Sequence, residues 1–139
     1  MRKLLYITTL FCGVIAGGSS FAQCDSTASM CQNHLGTEYI SDGQSYRALL
    51  ISDEVAEFHT TFFGGSEYRI AGCTGNSDGN LVWSMYDVDD NLLFTNLDYR
   101  NSPYWDFEFT SSIDVKIEAH LGALSEGSGC AVLMIGFKR

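Results

Sequence analysis

Residues 104 to 121 read YWDFEFTSSIDVKIEAHL, and no other stretch narrows the fold as far. Trp105, Phe107 and Phe109 alternate with Asp106 and Glu108. After Ser111 and Ser112, Val115, Ile117, Ala119 and Leu121 alternate with Asp114, Lys116, Glu118 and His120. A period of two sends successive side chains to opposite faces of an extended chain. Both segments therefore read as strands with one buried face and one wet face. Such a strand is stable only when its apolar face meets another apolar layer.

Six more short runs fit the same reading: 45–51, 55–63, 67–73, 80–87, 91–96 and 129–138. Turn-forming residues separate them, including Gly64-Gly65, TGNSDGN at 74–80, NSP at 101–103 and SEGSG at 125–129. Eight short strands on this spacing predict an all-β fold, an antiparallel two-sheet sandwich of jelly-roll type. The one competing helix lies near ISDEVAEFH, where Ser52 is a candidate cap. Phe58, Thr60 and Phe62 alternate just beyond it, so strand is preferred. The run 129–138 is apolar on both faces, which places it inside a sheet rather than at an edge.

The N-terminal segment belongs to targeting rather than to the fold. Arg2 and Lys3 precede the apolar run Leu4 to Ala16, and Ser20 and Ala22 stand at the spacing of a signal-peptidase site. A leader over 1–22, cut between Ala22 and Gln23, makes the protein secreted or periplasmic. Residues 23–44 read as an irregular, disulfide-looped N-terminal segment and 45–139 as the sandwich domain. Beyond the leader stand Cys24, Cys31, Cys73 and Cys130, an even set that implies disulfides in an exported chain. The favoured pairing is Cys24–Cys31, closing a short loop, with Cys73–Cys130 joining two strands. The long bridge is worth about 4 kcal/mol on the loop-entropy model.

Charge removes several functions. The formal net charge is −9, and loss of Arg2 and Lys3 takes it to −11. So few cations build no surface for a phosphate backbone, so no nucleic-acid partner is expected. No membrane insertion of the processed chain is expected either. A cationic or neutral partner suits it better.

Candidate chemistry is sparse. YDVDDNLLFTN at 86–96 places Asp87, Asp89, Asp90 and Asn91 close together, with Asp78 or Asp98 as further oxygen donors. Calcium is the ion such a set would take. An EF-hand reading fails, because Leu92 stands where a glycine is needed and Asp98 where a glutamate is needed. Asp-Asp-Asn also suits a hairpin turn, which is the preferred reading. Otherwise no cofactor is expected. His34, His59 and His120 form no ligand motif, and no G-x-S-x-G elbow occurs. Asp106 and Glu108 are better explained as a wet strand face than as a glycosidase pair. No catalytic residue is assigned, so an enzyme is not expected. Aromatic residues are the better functional clue: Tyr99 and Tyr104 flank RNSP and, with Trp105, are candidate ligand-binding residues, while core and sheet surface is the preferred reading of the aromatic cluster as a whole.

Four segments, AEFHTTFFGGSEYRIAGC, LVWSMYDVDDNLLF, YWDFEFTSSIDVKIEAHL and GCAVLMIGFK, together resemble small secreted bacterial sandwiches of the pre-peptidase C-terminal or GOLD-like type. The FAQ cleavage region resembles exported proteins of Bacteroidetes-type bacteria. This resemblance implies accessory roles without catalytic residues. The leading expectation is thus a non-catalytic module for adhesion, glycan binding or protein binding at the cell envelope. The alternatives are a small secreted hydrolase or a hydrolase inhibitor, and a calcium-stabilised structural module.

Overall fold

The computed structural model describes residues 19–75, 78–123 and 127–139, with side chains from Cys24 onward. Most of the expected leader lies outside the described residues. The chain begins with α1 (Ser19–Gln32) and a short 3-10 turn, Asn33–Leu35. Eight strands follow: β1 (Tyr39–Ile51), β2 (Val55–Phe62), β3 (Ser66–Cys73), β4 (Leu81–Tyr86), β5 (Leu92–Thr95), β6 (Tyr104–Phe109), β7 (Ile113–Leu121) and β8 (Ser128–Lys138). They form two antiparallel sheets, β1-β8-β3-β6 and β2-β7-β4-β5. That order is a jelly roll. Each strand of the second sheet follows or precedes in sequence the strand it faces in the first, so the sheets are wound together rather than stacked as separate units.

The alternation in the sequence becomes the packing between sheets. From the first sheet, Leu50, Ile70, Leu133 and Ile135 face inward; from the second, Phe62, Leu81, Trp83, Met85, Phe94 and Ile117. Trp105, Phe107 and Phe109 of β6 close this core along one side. Their rings pack in sequence, with Phe107 near Phe94 at 5.0 Å and Phe109 stacked on Phe62 at 4.8 Å. Each large side chain buried here contributes about 1.5–3 kcal/mol.

β8 is buried on both faces. Ala131, Leu133 and Ile135 enter the core between the sheets, while Cys130, Val132 and Met134 face outward. The outward set is covered by α1, which crosses the sheet from β1 and β8 toward β3. Asp25 pairs with Arg47 on β1, Cys24 bonds Cys130 on β8, and Cys31 bonds Cys73 on β3.

Two expectations are corrected here. Residues 23–44 are not an irregular looped segment: they form most of α1, the 3-10 turn and the start of β1, which begins at Tyr39 rather than at 45. The pairing Cys24–Cys31 with Cys73–Cys130 is also wrong. The bonds are Cys24–Cys130 and Cys31–Cys73. The helix gives the reason. Seven residues of α-helix span about 10.5 Å, and a disulfide needs Cα atoms within about 7 Å. Cys24 and Cys31 lie on one helical face, two turns apart, so each reaches down to a different strand.

One glycine is set by close approach. A Cβ on Gly72 would lie 2.7 Å from Trp83 Cδ1 and 2.9 Å from its Nε1. Trp83 is fully buried and has no room to retreat. Gly72→Ala is therefore expected to lower the stability by about 1–3 kcal/mol, the usual cost of overpacking. Urea denaturation followed by tryptophan fluorescence checks it, and an unchanged midpoint would contradict the contact.

Candidate functional site

One end of the sandwich gathers the β1–β2 turn, the β3–β4 loop, the β5–β6 loop and the β7–β8 loop. The strand registers place them there: Ile51 lies opposite Ser128, Leu81 opposite Leu121 and Ala71 opposite Tyr104. Backbone bonds tie these loops in pairs, from Ser52 N to Gly127 O at 2.7 Å and from Gly122 N to Asn80 O at 2.6 Å.

The β5–β6 loop is the most elaborate of the four. Thr95 caps a 3-10 turn, Asn96–Tyr99, and its hydroxyl accepts the Leu97 N–H. Asn96 is wholly buried yet fully used. Its Oδ1 accepts the Trp83 N–H at 2.9 Å, and its Nδ2 donates to Leu81 O at 2.9 Å and to Ser102 O at 3.2 Å. Its backbone oxygen accepts the Arg100 and Asn101 N–H groups. Asn101 Nδ2 reaches across to Gly79 O at 3.2 Å, and Pro103 O accepts the Gly72 N–H at 2.8 Å. A short amide side chain thus supplies partners to three backbone groups, and this locks the loop to β4.

What the locked loop presents is Leu97, Asp98, Tyr99 and Arg100, all exposed. Arg100 and Asn101 sit in the left-handed region at φ 56° and 53°. Asparagine tolerates it, but other non-glycine residues such as Arg100 adopt it rarely, and such backbone strain concentrates at functional sites. Arg100 is also electrostatically distinct. Arg47, Arg69, Lys116 and Lys138 each pair with a carboxylate. Among the described residues, Arg100 and the C-terminal Arg139 have no such partner. An exposed guanidinium on a rigid mount is a ready bidentate donor for a carboxylate of another molecule.

The three aromatic candidates do not share one surface. Tyr99 lies over Trp105 at 4.1 Å and stacks on Phe94 at 5.4 Å, covering the end of the core. Tyr104 points to the opposite face of β6, where its ring and that of Tyr39 enclose the Arg69 guanidinium, each centroid 4.4 Å away. Arg69 in turn holds Asp106 through two bonds of 2.6 and 2.8 Å and donates to His34 O. The Tyr39 hydroxyl donates to Glu67 at 2.6 Å, and Lys138 closes the network on Glu67. This cluster joins the 3-10 turn Asn33–Leu35 to β1, β3, β6 and β8. It therefore steadies β6, where the β5–β6 loop ends, and commits Asp106 to Arg69 rather than to a second carboxylate.

The acidic turn is a hairpin between β4 and β5. Asp87 accepts the Asp89 N–H, the Asn91 N–H and the Asn91 amide, each at 2.9 Å. Asp90, at φ 61°, pairs with Lys116. The structure does not bring Asp87, Asp89, Asp90 and Asn91 to a common centre, because Asp87 turns its oxygens inward on the loop itself. Among the described residues, no group of three or more His, Cys, Asp or Glu side chains is arranged to hold a metal ion.

Sequence reasoning singled out Tyr99 but passed over Asn96 and Arg100. The pattern T-N-x-x-Y-R-N-S-P held the clue, since an asparagine directly after a strand and another before Ser-Pro are loop-organising residues.

No family model matches the chain, and no curated protein matches it by sequence. Among solved structures, it is similar to the crystal structure of PliG from Aeromonas hydrophila, a periplasmic inhibitor of g-type lysozyme. The TM-score is 0.52 at 10% identity, over 74% of this chain and 89% of that one. At that identity the likeness is one of fold. It gives no support to a pre-peptidase C-terminal or GOLD-like assignment, nor to a Bacteroidetes-type origin. Two disulfides fit an oxidising compartment. Among the described residues, no helix is long and apolar enough to cross a membrane.

Acid stability reads out the Tyr39–Arg69 network. The bonds from Arg69 hold Asp106 below its ordinary 3.8, and those from Tyr39 and Lys138 hold Glu67 below its ordinary 4.5. A lowered folded-state pKa adds stability that is present above the unfolded value and is lost as pH falls through the folded one. Tm should thus be flat above roughly pH 5 and fall below it, and Asp106→Asn should flatten part of that fall. Identical slopes in both proteins, measured by calorimetry, would contradict it. In Asn96→Ala, the Trp83 N–H and Leu81 carbonyl lose their partner, at a cost of about 1–3 kcal/mol in denaturant titration.

Proposed function

We propose that this chain is a secreted or periplasmic, non-catalytic protein-binding module that inhibits a glycan hydrolase of the lysozyme type, using the β5–β6 loop. The observation that carries this reading is Arg100: an exposed, unpaired guanidinium in a strained backbone conformation, on a loop locked by the buried Asn96. Glycoside hydrolases work with paired carboxylates in a cleft. A cation held out on a preorganised loop is the group such a cleft would receive, and Tyr99 and Leu97 beside it supply apolar contact. Elsewhere the chain is strongly acidic, which suits a partner with a cationic rim and speeds its approach.

The fold shared with PliG supports the same reading, as do the two disulfides expected of an extracytoplasmic protein. The broader role, binding at the cell envelope, is retained in this narrower form. A leader over residues 1–22, cut after Ala22, is part of the proposal, and export fused to a reporter tests it.

Inhibition of cell-wall lysis by g-type and other lysozymes, measured with purified protein, is the direct assay. We expect inhibition of at least one class. Arg100→Gly should weaken it by at least about tenfold, the loss of one charge-assisted contact, while relieving the left-handed strain. Its Tm should therefore be equal to or higher than that of the parent. No inhibition of any class, with no complex in titration calorimetry, would overturn the reading. A variant that inhibits like the parent would remove Arg100 from it.

A further inference from the structure

The four cysteines meet in one buried cluster, yet along the chain their bonds are nested: first with last and second with third. In an unfolded chain the favoured encounter is a different one. Cys24 and Cys31 stand seven positions apart, against separations of 42 and 106 for the native pairs. Loop-closure statistics favour the short encounter by on the order of tenfold over the first and several tens over the second. That bond is incompatible with α1, on which the two residues lie too far apart. The pair left over is Cys73 and Cys130, diagonal neighbours on two adjacent strands. β3 and β8 are adjacent, Cys73 lies opposite Val132, and Cys130 is the next residue along on the same face. Once the proposed leader with Cys12 is removed, the mispaired chain holds no free thiol with which to repair itself, and it cannot dock its helix.

We infer that this protein is a client of a thiol–disulfide isomerase. Starting from Cys24–Cys31 and Cys73–Cys130, the enzyme's thiolate attacks Cys31 Sγ, forms a mixed disulfide and releases the Cys24 thiolate. Cys24 attacks Cys130 Sγ, forms the native Cys24–Cys130 bond and releases the Cys73 thiolate. Cys73 then attacks Cys31 Sγ, forms the native Cys31–Cys73 bond and releases the enzyme's thiolate unchanged. Three bonds break and three form, so no oxidant or reductant is consumed. The enzyme contributes the one thiolate that the closed chain lacks. Packing of Ala28, Leu35, Val132 and Met134 beneath and beside α1 draws the exchange toward the native pairs.

The test is reoxidation of reduced, denatured protein, carrying Cys12→Ser in every arm so that four cysteines remain. One arm uses diamide without thiol; the other adds a disulfide isomerase in glutathione buffer. Cleavage at Met30 separates Cys24 from Cys31 for mapping of the bonds. Without thiol, the Cys24–Cys31 product should exceed native pairing by about tenfold. The isomerase should then convert it to Cys24–Cys130 and Cys31–Cys73. Native pairing in equal yield in both arms would overturn the inference, as would failure of the isomerase to convert the mispaired product. In the double variant Cys24→Ser, Cys130→Ser the rival bond cannot form. Cys31–Cys73 should then close at the same rate with or without the isomerase, and a persisting need for it would also overturn the inference.

Discussion

Double burial of β8 is the constraint on which the rest of the architecture depends. A central strand with apolar residues on both faces needs two covers, and a two-sheet sandwich supplies only one. The second is α1. Its contact face is small, built from Cys24, Thr27, Ala28 and Cys31. Such a face buries too little apolar surface to dock a short helix by the hydrophobic effect alone. The two disulfides make up the difference, each crossing from the helix to a different strand of the first sheet. Removing the helix would expose Val132 and Met134 and leave the sheet with an open apolar face.

Two arginines show how differently one side chain can be placed. Arg69 lies between two aromatic rings, bonded in two places to Asp106 and in a third to a backbone carbonyl. Its bonding capacity is largely met by its own chain, and its effect is to join elements distant in sequence. Arg100 has no such company, and its backbone sits in a conformation that arginine rarely adopts. Asn96 and Asn101 hold it there through hydrogen bonds to β4, to the β3–β4 loop and within their own turn. A fold that retains an unfavourable backbone angle under an unpaired charge does so against its own stability, and that is why recognition is proposed for this loop.

Much of the fold was legible because strands with one wet face write their burial into the sequence. In 104–121 every inward residue of β6 and β7 except Ile113 was named from alternation alone. The strand β8 was legible in a different way, since a continuous apolar run belongs inside a sheet. The helix was not. Its face Cys24, Thr27, Ala28, Cys31 has helical spacing, but it is written in cysteines and small residues, which read as staples rather than as core. The start of β1 was missed for a related reason. Polar residues and a bulge between Ser41 and Ser45 break its period. At the candidate site Tyr99 was visible as an aromatic beside a turn. The importance of Asn96 was not, because a buried asparagine looks in sequence like any other loop residue.

The sequence by itself determined the all-β class, the positions of the strands apart from the start of β1, and most of the residues that face inward, because periodicity of two is a local property. It also determined that the chain is acidic and rich in potential disulfides. Tertiary structure alone decided which cysteines are partners, which cations among the described residues are left without a carboxylate, and that Tyr99 lies over Trp105 while Tyr104 meets Arg69. Those are matters of distance between segments far apart in the chain, and composition and spacing carry no record of them. The fate of the acidic turn was decided in the same way, when Asp87 bonded within its own loop and Asp90 met Lys116 from a strand that follows later in the chain.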